Sequence, residues 1–254
     1  MRILAFDTAT RATTVAFAEV EGDGSACQVM NTLEIRDDPP PGERPRHAPQ
    51  LLALVVGLLE TEQMGWDAID RIAVGLGPGT FTGLRIGVAT AKGLAQAAGT
   101  PLVGVSTLHS LALNARDVAE GGEAPGTVLA VLDARRGEAF VAAWDSRRLD
   151  QHSLPILAPC ALTPDALAEA VTGLSDPMAI GEGALAFRDV LERSGGYVPE
   201  DASKLHRVTA RNHCLIARGL PVTQPDRLVP DYQRLPDARP RAAPPSGPER
   251  AGER

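Results

Sequence analysis

Along the chain the apolar positions alternate between a period of two and a helical period, and this alternation predicts the order of elements. Ile3–Phe6 is a short apolar run that stops at Asp7-Thr-Ala-Thr10, and Thr13–Val20 is rich in β-branched and aromatic residues. Together they predict a hairpin, and Cys27–Ile35 predicts a third strand. Arg36–Pro49 is polar and proline-rich and predicts a loop. From Leu51 the spacing becomes helical, carried by Leu51, Leu52, Leu54, Val55, Val56, Leu58 and Leu59 toward Gly65. Those residues spread over about 200° of the helical wheel, about twice the arc one core requires. Part of that face wants a second partner, inside the subunit or outside it.

Arg71–Gly99 follows as an apolar strand, a glycine-rich turn and a helix in direct succession. Gly75, Gly77, Gly79 and Gly83 accept backbone angles closed to other residues, and Pro78 fixes one dihedral between them. Amides exposed at the start of a helix suit an anion such as phosphate. The same glycines equally suit a tight turn that packs the helix against the strand. No standard nucleotide motif is present. Leu84-Arg85 follows Gly83 where a P-loop needs Lys and Ser/Thr, and Thr80 stands where a dinucleotide fold needs its third glycine. In the helix, Arg85, Lys92 and Gln96 share a polar stripe, while Leu84, Val88, Ala91, Leu94, Ala95 and Ala98 cover the other side. Gly87, Ala91, Ala95 and Ala98 are small enough for another helix to approach closely.

Pro101–Val105 predicts a strand and Thr107–Arg116 a short helix, after which Glu120–Gly126 reads as a flexible link. A second region opens with strands Thr127–Asp133 and Glu138–Asp145 around the turn Ala134-Arg-Arg-Gly137. Helices are predicted at Leu162–Val171, Ala184–Arg193 and Ser203–Arg218, with a short strand at Met178–Gly181. Asp237–Arg254 is dominated by Pro, Arg, Ala and Gly without an apolar period, and disorder is expected there. The division expected is 1–106, 107–220 and an extended, largely disordered tail 221–254.

Composition narrows the chemistry. With 254 residues, 44% of them hydrophobic, the chain can fill one large core or two modest ones. The formal net charge of −7 argues against a protein that holds nucleic acid by itself, although a local basic patch is compatible with it. Cys27, Cys160 and Cys214 are odd in number and widely spaced, which reads as buried thiols in a reducing compartment. No segment has the apolar length of a membrane span, Asp7 interrupts any signal-peptide core, and the cytoplasm is the expected location. Asp7, at the end of a first central strand, suits a metal or phosphate ligand, or else a cap on its own turn. His206 and His213 are placed on one helix, about 10 Å apart and too far for a single ion. His47 and His152 fall in polar loops, where solvated side chains are expected. No nucleophile elbow or zinc-peptidase motif is present.

The order of elements resembles the ribonuclease-H-like half of the actin/Hsp70/sugar-kinase (ASKHA) superfamily, an α/β fold, here with a smaller second α/β domain. Asp7-Thr-Ala-Thr10, Gly77-Pro-Gly-Thr-Phe-Thr-Gly-Leu-Arg-Ile-Gly87, Val105-Ser-Thr-Leu108, Asp133-Ala-Arg-Arg-Gly-Glu138 and Pro230-Asp-Tyr-Gln-Arg234 look together like the TsaB (YeaZ-type) family of bacterial tRNA threonylcarbamoyladenosine biosynthesis proteins. The resemblance covers residues 1 to about 235, with Ala9 where the family often has Ser and Gln233 where it often has Leu. It implies a non-catalytic scaffold that pairs with the catalytic paralogue TsaD and the ATPase TsaE. That complex transfers threonylcarbamoyl to adenosine 37 of tRNAs reading ANN codons, with tRNA met only through the complex. It further implies no cofactor or metal of this chain's own, with ATP and a metal ion on the partners, and a homodimer when the chain is alone. TsaD-type proteins carry a His-xxx-His pair where this chain has His109 and Leu113. Asp7, Gly77, Gly79, Thr80 and Gly83 are then expected to be a phosphate-loop remnant. Leu51, Leu52, Val55, Leu59, Arg85, Val88, Ala91, Leu94 and Ala95 are expected at the partner interface. Arg135 and Glu138 read as a turn-stabilising pair or an interface pair. The competing readings are an ASKHA-type phosphotransferase or ATP-binding enzyme, and a metallopeptidase. Ala9 occupies the glycine position that a phosphate loop requires.

Overall fold

The computed structural model describes residues 1–21, 28–40, 42–116, 124–150 and 152–233. Strands β1 (Arg2–Asp7), β2 (Thr13–Glu21) and β3 (Gln28–Asp37) form an antiparallel run, and helix α1 (His47–Thr61) leads to β4 (Arg71–Gly77). Helix α2 (Phe81–Ala98), β5 (Leu102–Ser106) and α3 (Thr107–Ala112) complete the first half. The second half comprises β6 (Thr127–Arg135), β7 (Glu138–Asp145), β8 (Leu157–Leu162), α4 (Pro164–Thr172), β9 (Pro177–Ile180), α5 (Glu182–Ala186), α6 (Arg188–Arg193) and α7 (Ala210–Gly219).

Both halves follow one plan. The first sheet is ordered β3-β2-β1-β4-β5 and the second β8-β7-β6-β9. In each, an antiparallel meander meets a parallel strand beside its first member, β4 beside β1 and β9 beside β6. Alternation along the central strands divides the interior into layers. Leu4 and Phe6 face one way, packing with Leu51, Val55 and Leu58 of α1 and Val88 and Ala91 of α2. Ile3 and Ala5 face the other, into a core shared with Val128, Ala130 and Leu132 of β6, Leu108 and Leu111 of α3, and Cys214 and Ile216 of α7. Leu129 and Val131 point out of the second sheet toward Leu167, Val171 and Leu191. The succession is therefore helices, sheet, helices, sheet, helices, with α3 and α7 in the middle layer.

Helix α7 comes late in the chain, yet its two ends are fastened to the first sheet. Glu34 of β3 accepts the amide of Ala210 at 2.8 Å, and Arg71 of β4 donates to the carbonyls of Ala217, Arg218 and Leu220 at 2.8, 3.2 and 2.9 Å. An acid at the amino end and a cation at the carboxyl end satisfy orphan backbone groups and complement the helix dipole.

Four local expectations are corrected. The helix expected at Ser203–Arg218 is a 3-10 turn at Lys204–His206, an extended step, and then α7. His206 causes the break: its ring takes the Gly181 amide at 3.1 Å and meets the Pro199 carbonyl at 3.2 Å, so His206 and His213 do not share a helix. Helix Ala184–Arg193 is divided at Phe187 into α5 and α6. Strand β8 was not anticipated, because a half-buried edge strand with Pro159 and Cys160 lacks clean alternation. His47 does not lie in a solvated loop; it opens α1, is 4% exposed and meets Thr13 Oγ1 at 2.8 Å.

Cys214 is buried and Cys160 half-buried, while Cys27 lies outside the described residues. So do part of the Glu120–Gly126 link and the tail beyond Gln233. Residues 221–233 run back over the first sheet: Thr223 donates to the Leu102 carbonyl at 2.7 Å, Asp231 to the Leu76 carbonyl at 2.8 Å, and Leu228 is 2% exposed. Among the described residues no helix is long and apolar enough to cross a membrane.

Ala91 is 0% exposed and Leu52 48% exposed, although both lie in the outer helical layer. Ala91→Arg forces bulk and charge into this chain's own core and is expected to cost several kcal/mol, whereas Leu52→Lys should shift stability by less than about 0.5 kcal/mol. Urea unfolding of the two variants checks this; equal stabilities would contradict the packing described.

Candidate functional site

The loop after β1 and the glycine loop after β4 lie against each other at the carboxyl ends of two adjacent parallel strands. This is where open α/β sheets place ligands. Here the space is occupied by the chain itself. Thr80 donates its amide to the Ala9 carbonyl at 2.7 Å, Thr8 donates its hydroxyl to the Gly83 carbonyl at 2.7 Å, and the amide of Gly77 donates to Thr107 Oγ1 at 3.2 Å. The closeness explains the glycines. A Cβ at Gly83 would overlap the Thr8 carbonyl, and one at Gly75 would overlap the Asp7 carboxylate.

Asp7, 1% exposed, is fully engaged. Its Oδ1 accepts the amide of Ala9 at 2.7 Å, forming a cap on its own turn. Its Oδ2 accepts the Thr107 hydroxyl at 2.7 Å and meets His213 Nε2 of α7 at 3.0 Å. His213 Nδ1 meets the Thr209 carbonyl at 3.0 Å, so both ring nitrogens face oxygen acceptors. The ring thereby gives the buried carboxylate a hydrogen-bond partner on a separate helix. Burial by itself pushes the Asp7 carboxyl up, but the hydrogen bond and charge of His213, with the Ala9 amide and the Thr107 hydroxyl, outweigh it and hold the group below its ordinary 3.8.

The remaining histidines sit apart from this knot. His109 stacks on Trp144 at 5.3 Å and 15°, and its Nε2 meets the Asp150 carbonyl at 2.8 Å. Burial lowers its pKa despite Asp150, and burial lowers that of His47 as well. Among the described residues no group of three or more His, Cys, Asp or Glu is placed to hold a metal ion. Arg135 and Glu138 face each other across the β6–β7 turn, and the Arg135 guanidinium meets Asp133 at 3.0 Å.

The residues marked for a partner interface divide by exposure. Leu51, Val55, Leu59, Val88, Ala91 and Ala95 pack in this chain's own core, Leu94 is half-buried, and Leu52 and Arg85 are exposed. Val56 on the same helix is 45% exposed. The sequence offers His213 only as a metal-ligand candidate and Thr107 only within the Val105–Leu108 string, since nothing local marks a histidine that meets an aspartate 206 positions away.

Two α/β sheets of one plan, with helices between them and paired loops at the strand ends, define an ASKHA-type protein. The comparisons go further. The family TsaD, tRNA N6-adenosine threonylcarbamoyltransferase, matches over residues 40–174. The Escherichia coli K12 protein TsaB, a tRNA threonylcarbamoyladenosine biosynthesis protein, is 35% identical over 198 residues, 77% of this chain and 77% of that one. The Bacillus subtilis protein of the same name is 31% identical over 55% of this chain and 53% of its own length. The solved structure of YeaZ from Pseudomonas aeruginosa superposes with a TM-score of 0.69 at 26% identity, covering 91% of this chain and 99% of that one. The chain belongs to the TsaB family.

The buried histidines and the knot carry separate pH signatures. His47 and His109, with lowered pKa, contribute stability that is full above 6.5 and declines as the pH falls below that value. Asp7 contributes stability that is full above 3.8 and is lost as the pH falls through its lower folded value. Asp7→Asn should remove the lower window and cost about 3 kcal/mol at neutral pH by breaking a buried pair. Urea titrations of parent and variant from neutral to acid pH measure both effects; parental stability of Asp7→Asn would contradict the pairing.

Proposed function

We propose that this chain is the assembly subunit of a complex that makes threonylcarbamoyladenosine in tRNA, pairing with a TsaD-type catalytic partner and a TsaE-type ATPase. The names of its relatives in Escherichia coli and Bacillus subtilis support the pathway, and the match to the TsaD family supports a partner of related fold. The observation that carries the scaffold reading is the closed knot. Asp7 has given its oxygens to Ala9, Thr107 and His213, and the amides of Gly77 and Thr80 already have acceptors. A nucleotide phosphate seated there would have to displace buried hydrogen bonds, each left unpaired at a cost of about 1–3 kcal/mol. These residues do not fit a bound phosphate, and the loop serves to join α2 to β1 and β4.

On this reading ATP and a metal ion act on the partners, and tRNA is met through the complex, in the cytoplasm. The partner reaches the outer layer at Leu52, Val56 and Arg85. The buried Leu51, Val55, Leu59, Val88, Ala91 and Ala95 hold the two helices in position, and Leu94 lies at the margin. The lone chain uses the same face to form a homodimer.

Reconstituted modification of tRNA with the TsaD and TsaE partners and the adenylate donor tests the reading. Thr80→Ala combined with Thr82→Ala should retain most activity, because neither hydroxyl holds the knot. Leu52→Lys should lose activity together with complex formation while its fold persists. An inactive but fully assembled loop variant would assign chemistry to the glycine loop and overturn the scaffold reading.

A further inference from the structure

Two of the strings singled out in the sequence, Gly77–Gly87 and the described part of the other, Pro230–Gln233, meet at a point on the surface that core packing does not explain. Phe81, the first residue of α2, is 45% exposed, and Tyr232 is 41% exposed. Their rings lie 5.4 Å apart at 35°. Arg85, one turn along α2, sets its guanidinium carbon 3.7 Å from the Phe81 ring centroid and donates from Nε to the Tyr232 hydroxyl at 3.1 Å. Tyr232 is delivered there by the Asp231–Leu76 backbone bond of 2.8 Å and by Leu228, buried in the outer core. In a chain with only five Phe, two Tyr and two Trp, an exposed Phe and an exposed Tyr are spent on clamping one arginine.

Among the described residues the clamp leaves the arginine's recognition edge free. Nε is used, yet the terminal nitrogens have no hydrogen bond, and no carboxylate pairs with Arg85 among the described residues. The first turn of α2 also contains no acid, so the positive end of the helix adds to the same potential. Stacking and the tyrosine bond have already removed most of the side chain's rotamer freedom. An incoming anion therefore meets a planar fork in a fixed orientation.

We propose that Arg85, braced by Phe81 and Tyr232, is a receptor for an Asp or Glu carboxylate of the protein partner. This rests on the assembly reading and adds to it the point that sets orientation and partner choice. A carboxylate matches the guanidinium fork with two parallel hydrogen bonds. The surroundings favour protein over RNA. Phe81, Val229 and Tyr232 are exposed apolar neighbours, Leu52 and Val56 lie in the same outer layer, and a chain of net charge −7 repels a polyphosphate backbone that needs several cations. It also gives the tail up to Gln233 a task, since removing Tyr232 frees the arginine.

The test is calorimetric titration of the full chain with the TsaD-type partner, at low and at high salt, using Arg85→Lys, Tyr232→Phe and Leu52→Lys. Arg85→Lys keeps the charge but loses the fork, and should weaken binding about tenfold or more. Tyr232→Phe should weaken it a few-fold through the lost brace. Unchanged thermal midpoints are expected for both, because both sites are exposed. If Arg85→Lys and Tyr232→Phe bind like the parent while Leu52→Lys fails, the carboxylate receptor is overturned and the assembly reading stands. If all three bind like the parent, the assembly face itself is wrong. If Arg85→Lys keeps full affinity for the partner but the assembled complex captures tRNA less tightly, the anion is a phosphate and the inference is overturned.

Discussion

A carboxylate buried at the end of the first strand sets the terms for everything around it. Asp7 cannot remain charged at 1% exposure without compensation, and the chain supplies it from three directions: its own turn through Ala9, the start of α3 through Thr107, and α7 through His213. Those partners fix the relation of the two sheets, because α7 lies between them and is also capped at both ends by Glu34 and Arg71 of the first sheet. Around them the amides of Gly77 and Thr80 also find acceptors within the chain. The residues that could have oriented a phosphate are spent on holding the fold together.

The sequence carried the architecture well where period and length agreed. Residues of β1, β2, β4 and α2 announce themselves through alternation and helical spacing, and the glycine string announces a close approach. What it hid was long-range and polar. His213 stands in a helix whose pattern says only that one face is buried, and no local signal ties it to Asp7. His47 sits in a run of Pro and Arg that reads as solvated, yet Thr13 and the closing of α1 over the sheet bury it. Strand β8 was obscured because an edge strand buries little, and the helix at Ser203 was overextended because a histidine side chain, not a proline or glycine, ends the regular backbone there. Apolar arc width marks α1, and a set of small residues marks α2, as helices with room for a second partner. Neither could say that the sheet takes Val55, Val88 and Ala91 while Leu52, Val56 and Arg85 remain outside.

On the proposed assembly role, this division suits a subunit that works by being held. The buried side of the helical pair anchors it to the first sheet, and the exposed side carries Leu52, Val56 and Arg85, with the Phe81–Tyr232 brace at its edge. A partner recognised there would be positioned relative to both sheets at once, because the knot and α7 tie the second sheet to the first. Coupling of this kind needs contacts that differ between the competent and incompetent arrangements of the partner, and it requires no reaction on this chain.

The claim that the loop is closed is tested most directly by following the backbone amides of Gly77, Gly79, Thr80 and Gly83 in heteronuclear NMR while the isolated chain is titrated with magnesium ATP. The account predicts that these amides keep their positions to saturating nucleotide, and that the hydrogen-bonded amides of Gly77 and Thr80 keep unchanged hydrogen exchange. Progressive, saturable shifts confined to these amides, with a nucleotide-dependent loss of the Asp7–His213 pairing, would contradict it.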